Sequence, residues 1–220
     1  MIPNFGYWGR WRLGELFAVL SGKGGTGKTS VCAGIASALA VQGFRVLCVD
    51  CDVGLRNLDI SLGISDSGAL SFLDVVQGHY PLTRATKHPV YPTLSFLTAP
   101  MNCPVEKIDP KAFSDVLRAA RKEFDYIFLD APAGVDAGFR LVSKAADRFL
   151  LVTGAGPAAV RDAARVGDLL ELEQTALWGI GDSQKNDGKT EDGGFGCFSP
   201  LLGGAFCCPA GHGFQLPTVG

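Results

Sequence analysis

The chain has 220 residues, of which 47% are hydrophobic and 19% charged, a composition that argues against a disordered protein. Its formal net charge is -2, so no global positive charge attracts nucleic acid or an anionic membrane. The longest apolar runs fall far short of the roughly 18 residues that span a bilayer, and the N-terminus shows no secretory signal, so we expect a cytoplasmic protein. The seven cysteines have no framework spacing and are expected to be reduced.

Apolar runs alternate with amphipathic stretches from residue 16 to about residue 173, which predicts an α/β fold. Near-continuous apolar runs, typical of parallel strands covered on both faces, occur at Leu16–Leu20, Arg45–Asp50, Leu94–Thr98, Tyr126–Asp130 and Phe149–Thr153. The segments between them predict helices at Lys28–Gln42, Leu70–Gln77, Pro110–Glu123, Asp136–Ala146 and Pro157–Leu172. Right-handed crossovers between the strands then give three α/β/α layers around a mostly parallel sheet.

The two ends of the chain lack these patterns. Residues 1–15 hold aromatic and basic side chains without periodicity, and we interpret them as an N-terminal extension. Residues 173–220 contain eleven of the 29 glycines and no amphipathic helix or longer apolar run, which predicts an irregular or disordered tail. The α/β domain is therefore assigned to residues 16–172, and Phe149–Thr153 is expected to be an exposed sheet edge unless the tail covers it.

A glycine-rich loop joins the first predicted strand to the first helix. Residues 22–29 read GKGGTGKT, in which Gly22, Gly27, Lys28 and Thr29 satisfy the phosphate-loop pattern G-x-x-x-x-G-K-[ST]. Glycines let backbone N–H groups converge on phosphate oxygens, and the helix adds the positive end of its dipole. Lys28 is expected to reach the β- and γ-phosphates and Thr29 to ligate Mg²⁺. The alternative, a strand-to-helix turn without a ligand, is disfavoured by this context.

Two more predicted strands end in carboxylates. The strand that ends at Asp50 continues to Asp52, and two such carboxylates beside the phosphate loop suit holding Mg²⁺ through water or orienting an attacking water. The strand that ends at Asp130 is followed by Ala-Pro-Ala-Gly, so Asp130 is interpreted as the Walker B carboxylate, bonded to water in the Mg²⁺ shell. A surface turn at Asp52 and a helix N-cap at Asp130 are the competing interpretations.

The motif KGGTGKT, with its additional Lys23, resembles the MinD/ParA family of deviant Walker A ATPases, in which that lysine is the signature. The segment DCDVGLRNLD at residues 50–59 is similar to switch I of the MinD branch, and DAPAG at residues 130–134 is similar to its switch II. This resemblance covers about residues 16–172. It implies a Mg²⁺-dependent ATPase that dimerises with ATP and positions the cell-division septum. The alternative for Lys23 is a solvated surface lysine.

The motifs and the resemblance together give the candidate site residues. The residues expected to bind the nucleotide are Lys23, Gly24, Gly25, Thr26, Gly27, Lys28, Thr29 and Ser30. The candidate catalytic residues are Lys23, Lys28, Asp52, Asn57 and Asp130. The candidate metal ligands are Thr29, Asp52 and Asp130, and the implied cofactors are ATP and Mg²⁺. The resemblance implies that Lys23 reaches the phosphates of a second subunit and that Asn57 contacts the attacking water or the γ-phosphate.

The resemblance also implies partners: a homodimer when ATP is bound, a division inhibitor of the MinC type, an activator of the MinE type or its functional equivalent, and no nucleic acid. The family pattern stops near residue 173, before the strands whose loops contact adenine. The basic amphipathic helix that binds the inner face of the cell membrane is also missing, since residues 201–220 contain no Lys or Arg. Two alternatives stay open: a catalytically impaired nucleotide-binding fragment, and a partition or flagellar-number ATPase of the same family.

Overall fold

The computed structural model of the chain describes residues 13–53, 55–64, 68–101, 103–154, 156–170 and 177–180. Its strands are β1 (Glu15–Leu20), β2 (Val46–Asp50), β3 (Thr86–Lys87), β4 (Leu94–Leu97), β5 (Tyr126–Asp130), β6 (Arg148–Val152) and β7 (Leu177–Ile180). Its α-helices are α1 (Lys28–Val41), α2 (Leu58–Ser61), α3 (Phe72–Val76), α4 (Pro110–Glu123), α5 (Ala137–Ala145) and α6 (Pro157–Leu169). Short 3-10 turns lie at Leu82–Arg84 and Val105–Lys107.

The seven strands form one sheet in the order β3-β4-β2-β5-β1-β6-β7. All neighbouring pairs are parallel except β3 with β4. Every residue of β2 is buried, as expected for a parallel strand covered on both faces. Because β5 lies between β2 and β1, the carboxyl ends of these three strands meet at one edge, and Asp50 stands opposite Asp130 in the register. The predicted α/β fold with a mostly parallel sheet is confirmed.

Helices cover both faces of the sheet. On one face α3 to α6 bury a cluster that includes Phe72, Phe113 and Phe139. The rings of Phe72 and Phe113 pack edge to face, with 5.6 Å between their centroids. On the other face α1 and α2 bury a second cluster that includes Ala36 and Leu58. The three-layer arrangement predicted from the sequence is therefore present.

Helix α4 shows why some boundaries are predictable. The Asp109 carboxylate accepts a hydrogen bond from the backbone N–H of Lys111 at 3.0 Å, and Pro110 occupies the first turn, where its missing N–H costs nothing. Phe113 and Leu117, four residues apart, are buried on one face of the helix. The predicted and observed bounds of α4 are the same.

The sheet extends beyond the last predicted strand, into the segment for which an irregular tail is predicted. β7 lies inside residues 173–220, where the sequence predicts no strand, and it pairs in parallel with β6 from Phe149 opposite Leu177 to Val152 opposite Ile180. The strand Phe149–Thr153 is therefore not the edge of the sheet. The remainder of the predicted tail and of the N-terminal extension lies outside the described residues, apart from residues 13–15, so the domain bounds themselves stay a prediction. None of the described helices has both the length and the apolar character needed to cross a bilayer.

Candidate nucleotide-binding site

The phosphate loop, residues 22–29, runs from the end of β1 into the first turn of α1. Gly25 and Gly27 have φ values of 76° and 81°, in the left-handed region that glycine enters without steric cost. Gly27 is the N-cap residue of α1, and no side chain caps this helix through a hydrogen bond. The N–H groups of the first turn thus remain directed toward the loop, where they and the helix dipole favour an anion such as phosphate.

Neighbouring segments hold the loop in place. The backbone N–H of Gly134 donates to the carbonyl of Ser21 at 3.1 Å, which joins the phosphate loop to the turn after β5. Helix α6 passes so close to Gly22 that a β-carbon there would lie 2.6 Å from the carbonyl oxygen of Asp162. The Ser21 hydroxyl is buried without a hydrogen-bond partner among the described residues. The turn after β5 and helix α6 therefore restrict the position of the loop. The hydroxyl of Ser21 lies at the start of the loop.

Lys28 begins α1 and is only 6% exposed. Its Nζ lies 2.5 Å from Oδ1 of Asp130, at the end of β5, and Asp130 is 1% exposed. The phosphate-loop lysine and the carboxylate at the end of β5 are therefore a buried ion pair, and each is a group type that can bind phosphate or metal at adjacent points.

Asp50 ends β2 and is also buried, at 1% exposure. Its Oδ1 accepts the N–H of Asp52 at 2.9 Å, and its Oδ2 accepts the N–H groups of Asn57 and Leu58, each at 3.1 Å. Burial, followed by the nearby charge of Asp130, raises the pKa of Asp50 to about 6, against the lowering effect of these backbone hydrogen bonds. Asp50 is therefore an internal acceptor at the base of the switch I segment, residues 50–59.

Asp52 lies beyond the strand and is half-buried. Burial raises its pKa above the usual range, and Asp130 raises it further while Lys28 opposes the shift. Asp52 and Asp130 thus share the field of one buried lysine, which leaves net negative charge where a divalent cation would be stabilised. Oxygen donors of this kind fit Mg²⁺ held by one or two carboxylates together with nucleotide phosphates. The described residues contain no group of three or more His, Cys, Asp or Glu side chains placed to hold a metal alone.

Two further residues of the switch I segment, Arg56 and Asn57, differ in their contacts. Arg56 has a φ of 44°, unusual for a residue with a side chain, and its Nε lies 3.1 Å from Oδ2 of Asp59. Asn57 is the N-cap residue of α2, but its side chain makes no capping hydrogen bond and is exposed. The side-chain amide of Asn57 is therefore exposed, which is compatible with the predicted contact to the attacking water or the γ-phosphate.

The predicted site residues differ in burial and in position. Lys28, Asp52 and Asp130 come together at the carboxyl edge of the sheet, and Thr29 follows directly in the first turn of α1. The exposed or partly exposed members of the predicted nucleotide site are Lys23, Gly24, Gly25, Thr26, Gly27, Thr29 and Ser30. The exposure of Lys23 agrees both with a contact to another subunit and with an ordinary surface lysine, so its predicted role stays a prediction.

The sequence alone does not single out Asp50 as a site residue with a role of its own. Its spacing of two residues from Asp52 predicts that the two carboxylates act alike. The spacing indicates that both carboxylates lie near the site. Because the strand ends at Asp50, however, the chain turns there and the two side chains have different surroundings. The different role of Asp50 is visible only in the structure, where its carboxylate is buried and accepts three backbone hydrogen bonds.

A family model described as the CobQ/CobB/MinD/ParA nucleotide binding domain matches residues 17–177. The chain belongs to this family. It is 37% identical over 164 residues to the septum site-determining protein MinD of Bacillus subtilis, covering 74% of this chain and 61% of that relative. It is 39% identical over 160 residues to MinD of Thermotoga maritima, covering 72% of this chain and 59% of that relative. The chain thus spans about three fifths of the length of these relatives.

Solved structures agree with this membership. The chain resembles MinD in a MinC:MinD cell division protein complex of Aquifex aeolicus, with a TM-score of 0.68, 34% identity, and coverage of 76% of this chain and 68% of that one. It also resembles MinD of Pyrococcus horikoshii complexed with Mg-ADP, with a TM-score of 0.67, 29% identity, and coverage of 76% and 70%. The family resemblance and the P-loop fold predicted from the sequence are confirmed.

Proposed function

We propose that the chain is the nucleotide-binding part of a Mg²⁺-dependent, MinD-like ATPase that dimerises with ATP and helps to place the cell-division septum. The observation that carries the proposal is the buried Lys28–Asp130 pair beneath a phosphate loop, with Asp52 in the same electrostatic field. The septum-site function of the relatives and the Mg-ADP in the Pyrococcus horikoshii structure support it.

The ion pair suggests how this chain receives a nucleotide. The phosphates of ATP would take over Lys28 from Asp130, which frees one Asp130 oxygen. Thr29, Asp52 and Asp130 would then hold Mg²⁺, which when bound neutralises phosphate charge and orients the γ-phosphate. A buried lysine surrounded by carboxylates is costly to leave without a partner, so release of Asp130 and arrival of phosphate are expected to occur together.

The dimer is proposed to depend on Lys23. This residue is exposed in the phosphate loop, and its exposure is compatible with a contact to a phosphate bound by a second subunit. The exposed Asn57 would contact the attacking water or the γ-phosphate. Lys28, in contrast, is buried within its own subunit, so the two lysines of the loop would serve different steps.

The partners follow from the relatives and are proposals for this chain. A MinC-type division inhibitor is favoured because one similar structure is a MinC:MinD complex. An activator of the MinE type, and peripheral attachment to the inner face of the cell membrane, are proposed from family membership alone. Binding of ATP without turnover is the second candidate function, because the phosphate loop and Lys28 need only hold the phosphates for it.

The test compares two lysines of one loop. Wild type, Lys28→Gln and Lys23→Gln are assayed for binding of a fluorescent ADP, for phosphate release and for ATP-dependent dimers by sedimentation velocity. We expect Lys28→Gln to lose binding, and Lys23→Gln to bind nucleotide but not to dimerise. Lys111→Gln, at an exposed position of α4, is the matched control and should behave as wild type.

The outcomes separate the candidates. ATP-dependent dimers and phosphate release in wild type support the ATPase. Tight binding without release or dimers favours the binding-only fragment. An unchanged ATP-dependent dimer in Lys28→Gln would contradict the proposed nucleotide site.

A further inference from the structure

Asp50 makes three hydrogen bonds to backbone N–H groups of the switch I segment. Its Oδ1 binds the N–H of Asp52, while its Oδ2 binds those of Asn57 and Leu58, at distances from 2.9 to 3.1 Å. The side chain is almost fully buried, at 1% exposure. We propose that Asp50 is a positioning residue, which fixes Asp52 and Asn57 for catalysis and does not itself bind the metal. This inference rests on the proposed nucleotide site.

The contrast with Asp52 supports this division of labour. A carboxylate has about four acceptor sites on its two oxygens, and Asp50 has filled three of them with backbone donors. The Asp52 carboxylate accepts no hydrogen bond from the described residues and is only half-buried. Of two carboxylates two residues apart, Asp50 is therefore committed to the protein and Asp52 is available to a ligand.

The position of Asp50 explains what the three bonds would control. It stands opposite Asp130 in the β2–β5 register, and the N–H of Cys51 donates to the carbonyl of Asp130 at 2.9 Å. One buried group thus attaches both ends of the segment from Asp52 to Leu58 to the end of β2, beside the end of β5 that carries Asp130. Movement of this anchor would shift Asp52 and Asn57 relative to the phosphates, without touching the phosphate loop itself.

The substitution Asp50→Asn keeps the size of the side chain but removes its charge and one of its two acceptor oxygens. In Asp50→Asn one carboxylate oxygen becomes an NH₂ group, which cannot accept a hydrogen bond. At one end of the segment this NH₂ group would therefore face backbone N–H groups, which are also donors. Misplacement of catalytic groups by about 1 Å can cost on the order of 100-fold in rate. We therefore expect kcat of Asp50→Asn to fall by about 100-fold, while the dissociation constant for ADP changes by less than about 3-fold.

The experiment uses the full chain as wild type, Asp50→Asn, Asp50→Glu and, as the matched control, Asp52→Asn. Amide hydrogen exchange of residues 50–59 is followed by mass spectrometry, and Mn²⁺ binding in the presence of ADP is followed by electron paramagnetic resonance. We expect Asp50→Asn to speed exchange of the Asp52, Asn57 and Leu58 amides by about 10-fold or more, and to lower Mn²⁺ affinity less than Asp52→Asn does. Asp52→Asn should show the reverse, and Asp50→Glu should restore part of the protection.

Two results would overturn the proposal. One is an Asp50→Asn variant that loses Mn²⁺ affinity by about 10-fold or more while exchange stays slow, which would make Asp50 a metal ligand. The other comes from wild type alone and needs no variant to fold: amides of Asn57 and Leu58 that exchange as fast as the exposed loop amides of Lys23 and Gly24. If no protein binds nucleotide, the proposed function fails, but the exchange data still decide whether Asp50 holds the segment.

Discussion

The Nζ of Lys28 lies 2.5 Å from Oδ1 of Asp130, and both side chains are nearly excluded from water. These residues belong to motifs 102 positions apart in the sequence. Parallel pairing brings them together, because β1 and β5 are neighbours and their carboxyl ends meet. Lys28 is therefore paired with the carboxylate that, under the proposed function, would help to hold Mg²⁺.

The first prediction concerns the stability of this pair. Removing one partner of a buried ion pair costs roughly 3–5 kcal/mol, because the other charge stays buried without compensation. Lys28→Gln is expected to lower the free energy of unfolding in urea by about this amount, and Lys28→Gln with Asp130→Asn to recover part of it. Arg118→Gln, which breaks an exposed 2.6 Å pair with Asp115, should cost less than about 1 kcal/mol. Equal losses in Lys28→Gln and Arg118→Gln would contradict the prediction.

The second prediction concerns metal binding without nucleotide. Because Lys28 is paired with Asp130, wild type should bind Mn²⁺ weakly when no nucleotide is added. Lys28→Gln removes the competing cation, so its Mn²⁺ affinity, measured by electron paramagnetic resonance without nucleotide, should rise by about 10-fold. The double variant with Asp130→Asn should lose this gain. A wild-type affinity equal to that of Lys28→Gln would show that the ion pair does not compete with the metal.

Strands buried on both faces are predictable from the sequence, because burial leaves near-continuous apolar runs. Tyr126–Asp130 is predicted with its observed bounds, and Arg45–Asp50 differs from β2 by one residue. The short elements at the two sides of the sheet are not predictable in this way. β3 has only two residues, and in β7 Gly179 interrupts the apolar residues. Both strands pair with a longer neighbour, which supplies their hydrogen bonds.

The site is predictable to the same limited extent. The spacing of a phosphate loop is specific, so the sequence alone assigns Lys28 and Thr29 to it. The roles of Asp50 and Asp52 cannot be separated in this way, because they depend on which carboxylate the turning backbone encloses. The Lys28–Asp130 pair also gives no signal in the sequence, since it arises from strand order and not from local spacing.

The third prediction concerns pH. The pKa of Asp50 is raised to about 6 in the folded chain, from about 4 when unfolded. Between these values the folded form keeps a proton that the unfolded form has lost, so stability falls as pH rises from about 4 to about 6 and is level above that. The total cost is about 3 kcal/mol at neutral pH.

This dependence is measured without nucleotide or metal, as the difference in the free energy of unfolding between wild type and Asp50→Asn. Shifts at other groups, such as the raised pKa of Asp52 and the lowered pKa of Asp125, act in both proteins and largely cancel. We expect the loss of stability with rising pH to be smaller in Asp50→Asn. A difference between the proteins that stays constant from pH 4.5 to 7 would contradict the buried position of the charge.

The fourth prediction concerns the contact between the phosphate loop and α6. A β-carbon at Gly22 would lie 2.6 Å from the carbonyl oxygen of Asp162, a backbone atom that moves only with its helix. Gly22→Ala is therefore expected to lower the free energy of unfolding by about 1–3 kcal/mol, and to weaken ADP binding because the loop must shift. Gly34→Ala is the matched control, since Gly34 is exposed in α1 with open space around it, and alanine there should stabilise the protein by up to about 1 kcal/mol. If Gly22→Ala kept wild-type stability and ADP affinity while Gly34→Ala behaved as expected, α6 could not be the element that fixes the loop.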